Sequence, residues 1–234
     1  DERTRSEERL RRFIADASHE LRTPVTTIRG YAELYRMGGL AEVDQLDTAI
    51  ARTESEAVRM GRLVDDLLAL ARMDQGRRSE PSRTRLDQVA RDVVSDMAVV
   101  HPERTITDTL SAVEVLGVPD ELHQVVANLV TNAVVHTPPA TPIQVTLDAD
   151  EQVVRLRVID QGPGMSDVDR ERAFERFHRA DPSRSRASGG SGLGLSIVEA
   201  IVAAHGGRAW LEVTTPDDPV SPGTTAVVEL PRAP

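Results

Sequence analysis

The chain has 234 residues, enough for one large domain or two small ones, and a unit of this size buries roughly 70% of its unfolded surface. A formal net charge of −10 argues against the basic groove that nucleic acid requires, and the absence of cysteine excludes disulfides, thiolate metal sites and thiol catalysis while suiting a reducing compartment. No apolar run approaches the roughly 18 residues needed to span a bilayer and no signal peptide opens the chain, so a soluble polypeptide with no direct membrane contact in this stretch is expected.

Residues 5–74 read as a helical hairpin. In the first helix Ile14, Leu21, Ile28 and Tyr35 form one heptad row and Leu10, Ala17, Pro24 and Tyr31 the interleaved row. With Ile14 at position a, His19 falls at f, farthest from the seam. The stretch Ser18-His19-Glu20-Leu21-Arg22-Thr23-Pro24 therefore points an imidazole outward beside a carboxylate, which makes His19 a candidate nucleophile with Glu20 as its base. A solvated surface histidine would look the same on this helix alone. Pro24 lacks an amide hydrogen and clashes with the carbonyl of residue 20, so a kink is expected just after the motif. Met37-Gly38-Gly39-Leu40 supplies the turn. The second helix carries Val43, Ile50, Ala57, Val64 and Ala71 in one row and Leu46, Thr53, Met60 and Leu67 in the other. Two such helices cannot bury both rows alone, and a homodimer forming a four-helix bundle resolves this.

Residues 75–84 are polar, include Gly76 and Pro81, and read as a linker. From 85 to 232 helical spacing over Leu86–Met97, Pro119–Val135 and Leu193–His205 alternates with strand patterns over Val153–Ile159 and Ala226–Leu230. An α/β sandwich is expected, a mixed sheet with helices layered on one face.

Three features of this second region carry chemistry. Asn128 and Asn132 lie one turn apart on the flank of an apolar stripe made by Leu122, Val125, Val126, Leu129 and Ala133, where two carboxamides suit a magnesium ion that keeps most of its waters. Val158-Ile159-Asp160-Gln161-Gly162-Pro163-Gly164-Met165 ends a strand in an acid able to accept from an exocyclic amine, with glycines that let backbone approach a flat base. Gly189-Gly190-Ser191-Gly192-Leu193-Gly194-Leu195 runs straight into a helix, an anion site. It follows no strand, so a Rossmann reading is disfavoured. Arg179, Arg184 and Arg186 lie upstream in a polar stretch, as a lid beside a phosphate cradle would.

In this order and spacing, from about Leu10 to Gly207, the motifs resemble the signature set of bacterial sensor histidine kinases. His-Glu-Leu-Arg-Thr-Pro resembles the phosphoacceptor box and Asn-Leu-Val-Thr-Asn-Ala (128–133) the N box. Asp-Gln-Gly-Pro-Gly (160–164) resembles the first glycine box, Phe174 and Phe177 the F box, and Gly-Ser-Gly-Leu-Gly (190–194) the second glycine box. The resemblance implies a dimerization and phosphotransfer domain (5–74), a linker (75–84) and a catalytic ATP-binding domain of the Bergerat type (85–232). His19 would be the phosphoacceptor and Glu20 its base, with Thr23 orienting water for dephosphorylation of a partner. Asp160 would read adenine, helped by His136, Gly162 and Gly164. Asn128 and Asn132 would hold Mg2+, and Arg179, Gly190, Gly192, Leu193 and Gly194 would contact ATP phosphates. The implied partners are a second copy and a response regulator, and the implied location is the cytoplasmic part of a membrane-anchored sensor.

Two positions depart from the family pattern. Val135 stands where a lysine is frequent, and the chain has no lysine at all. His136 stands where an aromatic residue is usual. Two other readings stay open. One is an ATP-hydrolysing machine on the same fold, which needs a glutamate where this chain has Asn128. The other is a sensor acting mainly as a phosphatase on its response regulator.

Overall fold

The computed structural model describes residues 2–40, 42–74, 80–179, 191–215, 217–218 and 220–233, and the side chains of 2–14 and 72–74 are set aside. Within it the chain divides into two units, Asp1–Ala71 and Arg72–Pro234.

The first unit is an antiparallel hairpin of α1 (Glu2–Arg36) and α2 (Val43–Asp74). Pro24 does not end α1; it sits buried in the hairpin seam, and the helix continues to Arg36. The threonines around it donate to carbonyls one turn back, Thr23 Oγ1 to His19 O at 3.4 Å and Thr27 Oγ1 to Thr23 O at 3.2 Å. The turn is set by Gly38, whose φ of +75° is open to glycine without a Cβ penalty, and by the Gly39 amide donating to Leu34 O at 2.9 Å. The seam differs from the heptad reading at one row. Ala49, Leu63 and Leu70 are the buried residues of α2, with Leu46, Thr53, Met60 and Leu67 half-buried beside them. Val43, Ile50 and Val64 face outward, 73%, 56% and 43% exposed. On α1, Ala17 and Pro24 are buried and Tyr35 is exposed, while the side chains of Leu10 and Ile14 lie outside the described residues.

The first strand of the second unit starts inside the stretch read as linker. Strand β1 (Ser82–Arg85) pairs antiparallel with β3 (Glu114–Gly117), and the buried Thr84 hydroxyl donates to Gly117 O at 3.1 Å. Between them come α3 (Leu86–Val100) and β2 (Ile106–Leu110). Then follow α4 (Pro119–His136), β4 (Ile143–Ala149), β5 (Val153–Asp160), the short α5 (Asp167–Arg172), α6 (Gly194–Ala204), β6 (Arg208–Val213) and β7 (Thr224–Pro231). The main sheet has the order β2-β4-β5-β7-β6, with β2 parallel to β4 and every other pair antiparallel.

Alternation makes this sheet two-faced. Val154, Leu156 and Val158 of β5 are buried against the helices together with Val145, Leu147, Val228 and Leu230, while the intervening residues of β5 stay half-exposed. Helices α3, α4 and α6 close the core with Ala90, Val93, Val126, Leu129, Ile197 and Ile201. Each fully buried aliphatic side chain contributes about 1.5–3 kcal/mol. On the opposite face, where Val227 is also buried, charged cross-strand neighbours flank the apolar packing. Glu229 accepts from Arg155 at 2.9 Å and from Arg208 at 3.0 Å, Arg157 pairs with Asp148, and the Arg208 guanidinium lies 4.9 Å from the Trp210 ring centroid. No helix among the described residues is long and apolar enough to cross a membrane.

Candidate active site

In the second unit the site gathers around the C-terminal end of β5. Asp160 is 8% exposed, and its Oδ1 accepts from the Gly162 amide at 2.8 Å and the Thr224 amide at 3.2 Å. Burial pushes the Asp160 carboxyl above its ordinary value, and the two amides pull it partly back. Its Oδ2 accepts no hydrogen bond among the described residues, so a lone-pair face remains for an exocyclic amine.

The glycines after Asp160 stand in tight contact with the protein's own groups. A Cβ on Gly162 would meet Thr137 Cγ2 at 2.6 Å, and one on Gly164, where φ is +66°, would meet Pro222 Cγ at 2.7 Å. The Gly162 carbonyl accepts from the Gly223 amide at 3.0 Å, which sews this loop to the start of β7.

Helix α4 places both asparagines half-buried on one flank. Asn132 makes no hydrogen bond among the described residues and is free to ligate. Asn128 Nδ2 donates to Gly194 O at 3.2 Å, tying α4 to the first residue of α6, while its carbonyl oxygen makes no hydrogen bond among the described residues. Two amide oxygens, with no cluster of acids among the described residues, suit a magnesium ion that arrives with its phosphates and waters. At the end of the same helix, the His136 ring is held below its ordinary pKa, first by lost hydration and second by the charge of Arg179.

The second glycine motif is described from Ser191 onward. Gly192 has φ +71° and lies so close to Phe177 that a Cβ would stand 3.0 Å from that residue's Cα. Its carbonyl accepts from the Phe177 amide at 2.9 Å, and Phe177 itself has φ 62°. The loop after α5 is thus pinned to the approach to α6, with Leu193 buried and Arg179 half-buried alongside. Gly190, Arg184 and Arg186 lie outside the described residues.

In the first unit His19 and Thr23 are exposed on α1, and Glu20 is half-buried. Glu20 Oε2 lies 3.4 Å from Nη2 of Arg59 on α2. No sequence pattern singles out Arg59.

Residues 9–76 match the His Kinase A (phospho-acceptor) domain, and residues 117–234 match the histidine kinase-, DNA gyrase B- and HSP90-like ATPases. The chain belongs to the sensor histidine kinases. A relative among these kinases, the probable sensor histidine kinase TcrY of Mycobacterium tuberculosis, is 46% identical over 207 residues, covering 88% of this chain and 43% of TcrY. The chain thus spans less than half the length of that relative. Among solved structures, full-length ShkA in complex with AMPPNP is 28% identical with a TM-score of 0.66, covering 95% of this chain and 46% of ShkA. ThkA in complex with the response regulator TrrA, 23% identical, shares the fold with a TM-score of 0.74 over 97% of this chain and 64% of that one.

Two residues that shape the surroundings of Asp160 carry no motif. Arg104, in the loop before β2, caps the C-terminus of α4 by donating to Thr137 O at 2.7 Å, Pro138 O at 3.0 Å and Thr137 Oγ1 at 2.8 Å. Thr137 in turn fills the space over Gly162. A polar loop arginine 33 residues upstream gives no periodic signal; only the helix end it satisfies makes its role visible.

Proposed function

We propose that this chain transfers the γ-phosphoryl group of ATP to its own His19 and passes it on to an aspartate of a response regulator. One observation carries the reading: a single chain joins an exposed His19, with Glu20 beside it on a helical hairpin, to an acid-and-glycine turn built around Asp160. Glu20 draws the proton from one ring nitrogen of His19 so that the other attacks as neutral imidazole. Asp160 Oδ2 accepts from the adenine amine, His136 flanks the base, and Gly162 and Gly164 hold the loop in shape. Arg179 and the amides of Gly190, Gly192, Leu193 and Gly194 receive phosphate charge in place of the family's lysine, absent here at Val135. Magnesium, held through Asn128 and Asn132, would neutralise charge on the phosphates when bound.

Hydrolysis as the main activity is disfavoured by Asn128. It occupies the position of a water-activating glutamate, and its amide, already donating to Gly194 O, cannot take up a proton. Thr23 is exposed one turn after His19, where it can orient water for dephosphorylation of the regulator; a phosphatase activity beside the kinase is part of this proposal.

The working form is a homodimer. Val43, Ile50 and Val64 form an outward apolar row that one hairpin leaves in water, and a second copy covers it in a four-helix bundle. The divisions proposed are phosphotransfer domain 5–74, linker 75–84 and ATP-binding domain 85–232, as the cytoplasmic part of a membrane-anchored sensor without nucleic-acid partners.

The deciding experiment is incubation with γ-labelled ATP and magnesium. Label on this chain that survives alkali and is lost in acid supports phosphohistidine; acid-stable label, or none, overturns the reading.

A further inference from the structure

The row of α2 that runs Ala49, Glu56, Leu63, Leu70 is buried except at Glu56, which is half-buried, so a carboxylate stands where the pattern calls for an apolar residue. Its Oε2 is buried and makes no hydrogen bond among the described residues. One turn further, the Arg59 side chain is only 12% exposed. Its guanidinium reaches two acids at once, Nη1 lying 3.8 Å from Glu56 Oε2 on its own helix and Nη2 lying 3.4 Å from Glu20 Oε2 across the hairpin. Three charged groups in a helical seam pay a desolvation cost that well-packed apolar residues of similar size would avoid. Their worth must therefore be sought outside stability. One of the three adjoins His19.

We propose that Arg59 is a positioning residue for phosphoryl transfer: anchored by Glu56, its guanidinium fixes the Glu20 carboxylate beside the His19 imidazole. The inference rests on His19 as acceptor and Glu20 as base. A guanidinium suits the task because its planar fork engages two carboxylates in set directions, whereas an ammonium is a point charge on a flexible stem. Base and anchor sit on different helices. A slide of one residue between them, about 1.5 Å along the axis, would break the pairing, so the Glu20 geometry reads the setting of α1 against α2.

The test uses the full chain with saturating magnesium and a range of ATP concentrations. The readouts are the rate constant of His19 labelling, the KM for ATP and helicity by circular dichroism. Arg59→Met is expected to lower the rate constant about tenfold or more with KM unchanged, because misplacing a reacting group by a fraction of an ångström is costly. Arg59→Lys should recover part of the loss. The discriminating arm is the background: in Glu20→Gln, adding Arg59→Met should cost nothing further, since Arg59 acts only through that carboxylate. An unchanged or faster rate in Arg59→Met overturns the proposal, as does an equal fractional loss in both backgrounds. Should Arg59→Met lose helicity, Arg59→Lys in the two backgrounds decides by the same criterion. Failure of the wild-type chain to label at His19 would instead defeat the underlying reading.

Discussion

The side-chain amide of Asn128 donates to the Gly194 carbonyl at 3.2 Å, so a residue of the N motif holds the first turn of the helix that follows the second glycine motif. Replacing it with aspartate removes the donor and sets a carboxylate against a carbonyl oxygen. Asn128→Asp should therefore lower nucleotide affinity about tenfold, on the order of 1.4 kcal/mol, as measured by calorimetry. Affinity equal to wild type would separate this contact from nucleotide binding.

Labelling should stop in His19→Ala while ATP affinity stays near wild type, because acceptor and nucleotide pocket belong to different units. Glu20→Gln should bind ATP equally well and label about 10²–10⁴-fold more slowly. Labelling retained in His19→Ala would move the acceptor elsewhere.

Asp160 presents stability and function pulling in opposite directions. Its raised pKa means that ionisation is disfavoured in the folded state, so its contribution to stability is fully present below the unfolded value of 3.8 and is lost as pH rises through the higher folded value. At neutral pH the charged group is a cost that Asp160→Asn relieves, since the amide oxygen still accepts from Gly162 and Thr224. The variant should melt at the same temperature or higher without ligand, yet bind ATP at least about tenfold more weakly because its amide can present a donor to the adenine amine. Differential scanning calorimetry with and without nucleotide reads both.

His136 titrates with the opposite sign. Its pKa is lowered from 6.5, so its contribution is complete above that value and is lost as pH falls toward the depressed folded pKa. His136→Phe should flatten the stability profile between pH 7 and the acid limb. Denaturant melts at stepped pH values test the flattening.

Leu63 and Val64 are adjacent on α2, yet one is 3% exposed and the other 43%. Leu63→Arg should unfold the hairpin outright. Val64→Arg should spare helicity at high concentration and weaken self-association, seen as a shift toward monomer in sedimentation.

The helices were legible because each spans several turns of one period, and Leu86–Val100, Pro119–His136 and Gly194–Ala204 lie within a few residues of the expected bounds. Strand β3 has four residues and β2 reads Ile-Thr-Asp-Thr-Leu at a sheet edge, too short and too polar to announce itself by alternation. Heptad arithmetic found the half-buried row of Leu46, Thr53, Met60 and Leu67, but its other row, with Val43, Ile50 and Val64, faces outward, and it missed Ala49, Leu63 and Leu70. It could not show that the row containing Glu56 faces α1, since a charge interrupts it. The motif residues Asp160, Asn128 and Asn132 stand out by type and spacing, whereas Arg104, Thr137 and Thr224 matter only through backbone groups they meet in three dimensions.

Trp210, the one tryptophan, lies on the outer face of β6 in the second unit, and the two tyrosines, Tyr31 and Tyr35, both belong to α1 in the first. Excitation at the red edge of the absorption band reaches indole alone, so emission from Trp210 follows melting of the sheet without interference from the hairpin. Tyrosine circular dichroism near 275 nm, after subtraction of the indole band, follows the hairpin. Two chromophores segregated in this way let the unfolding of each unit be timed in one unlabelled sample.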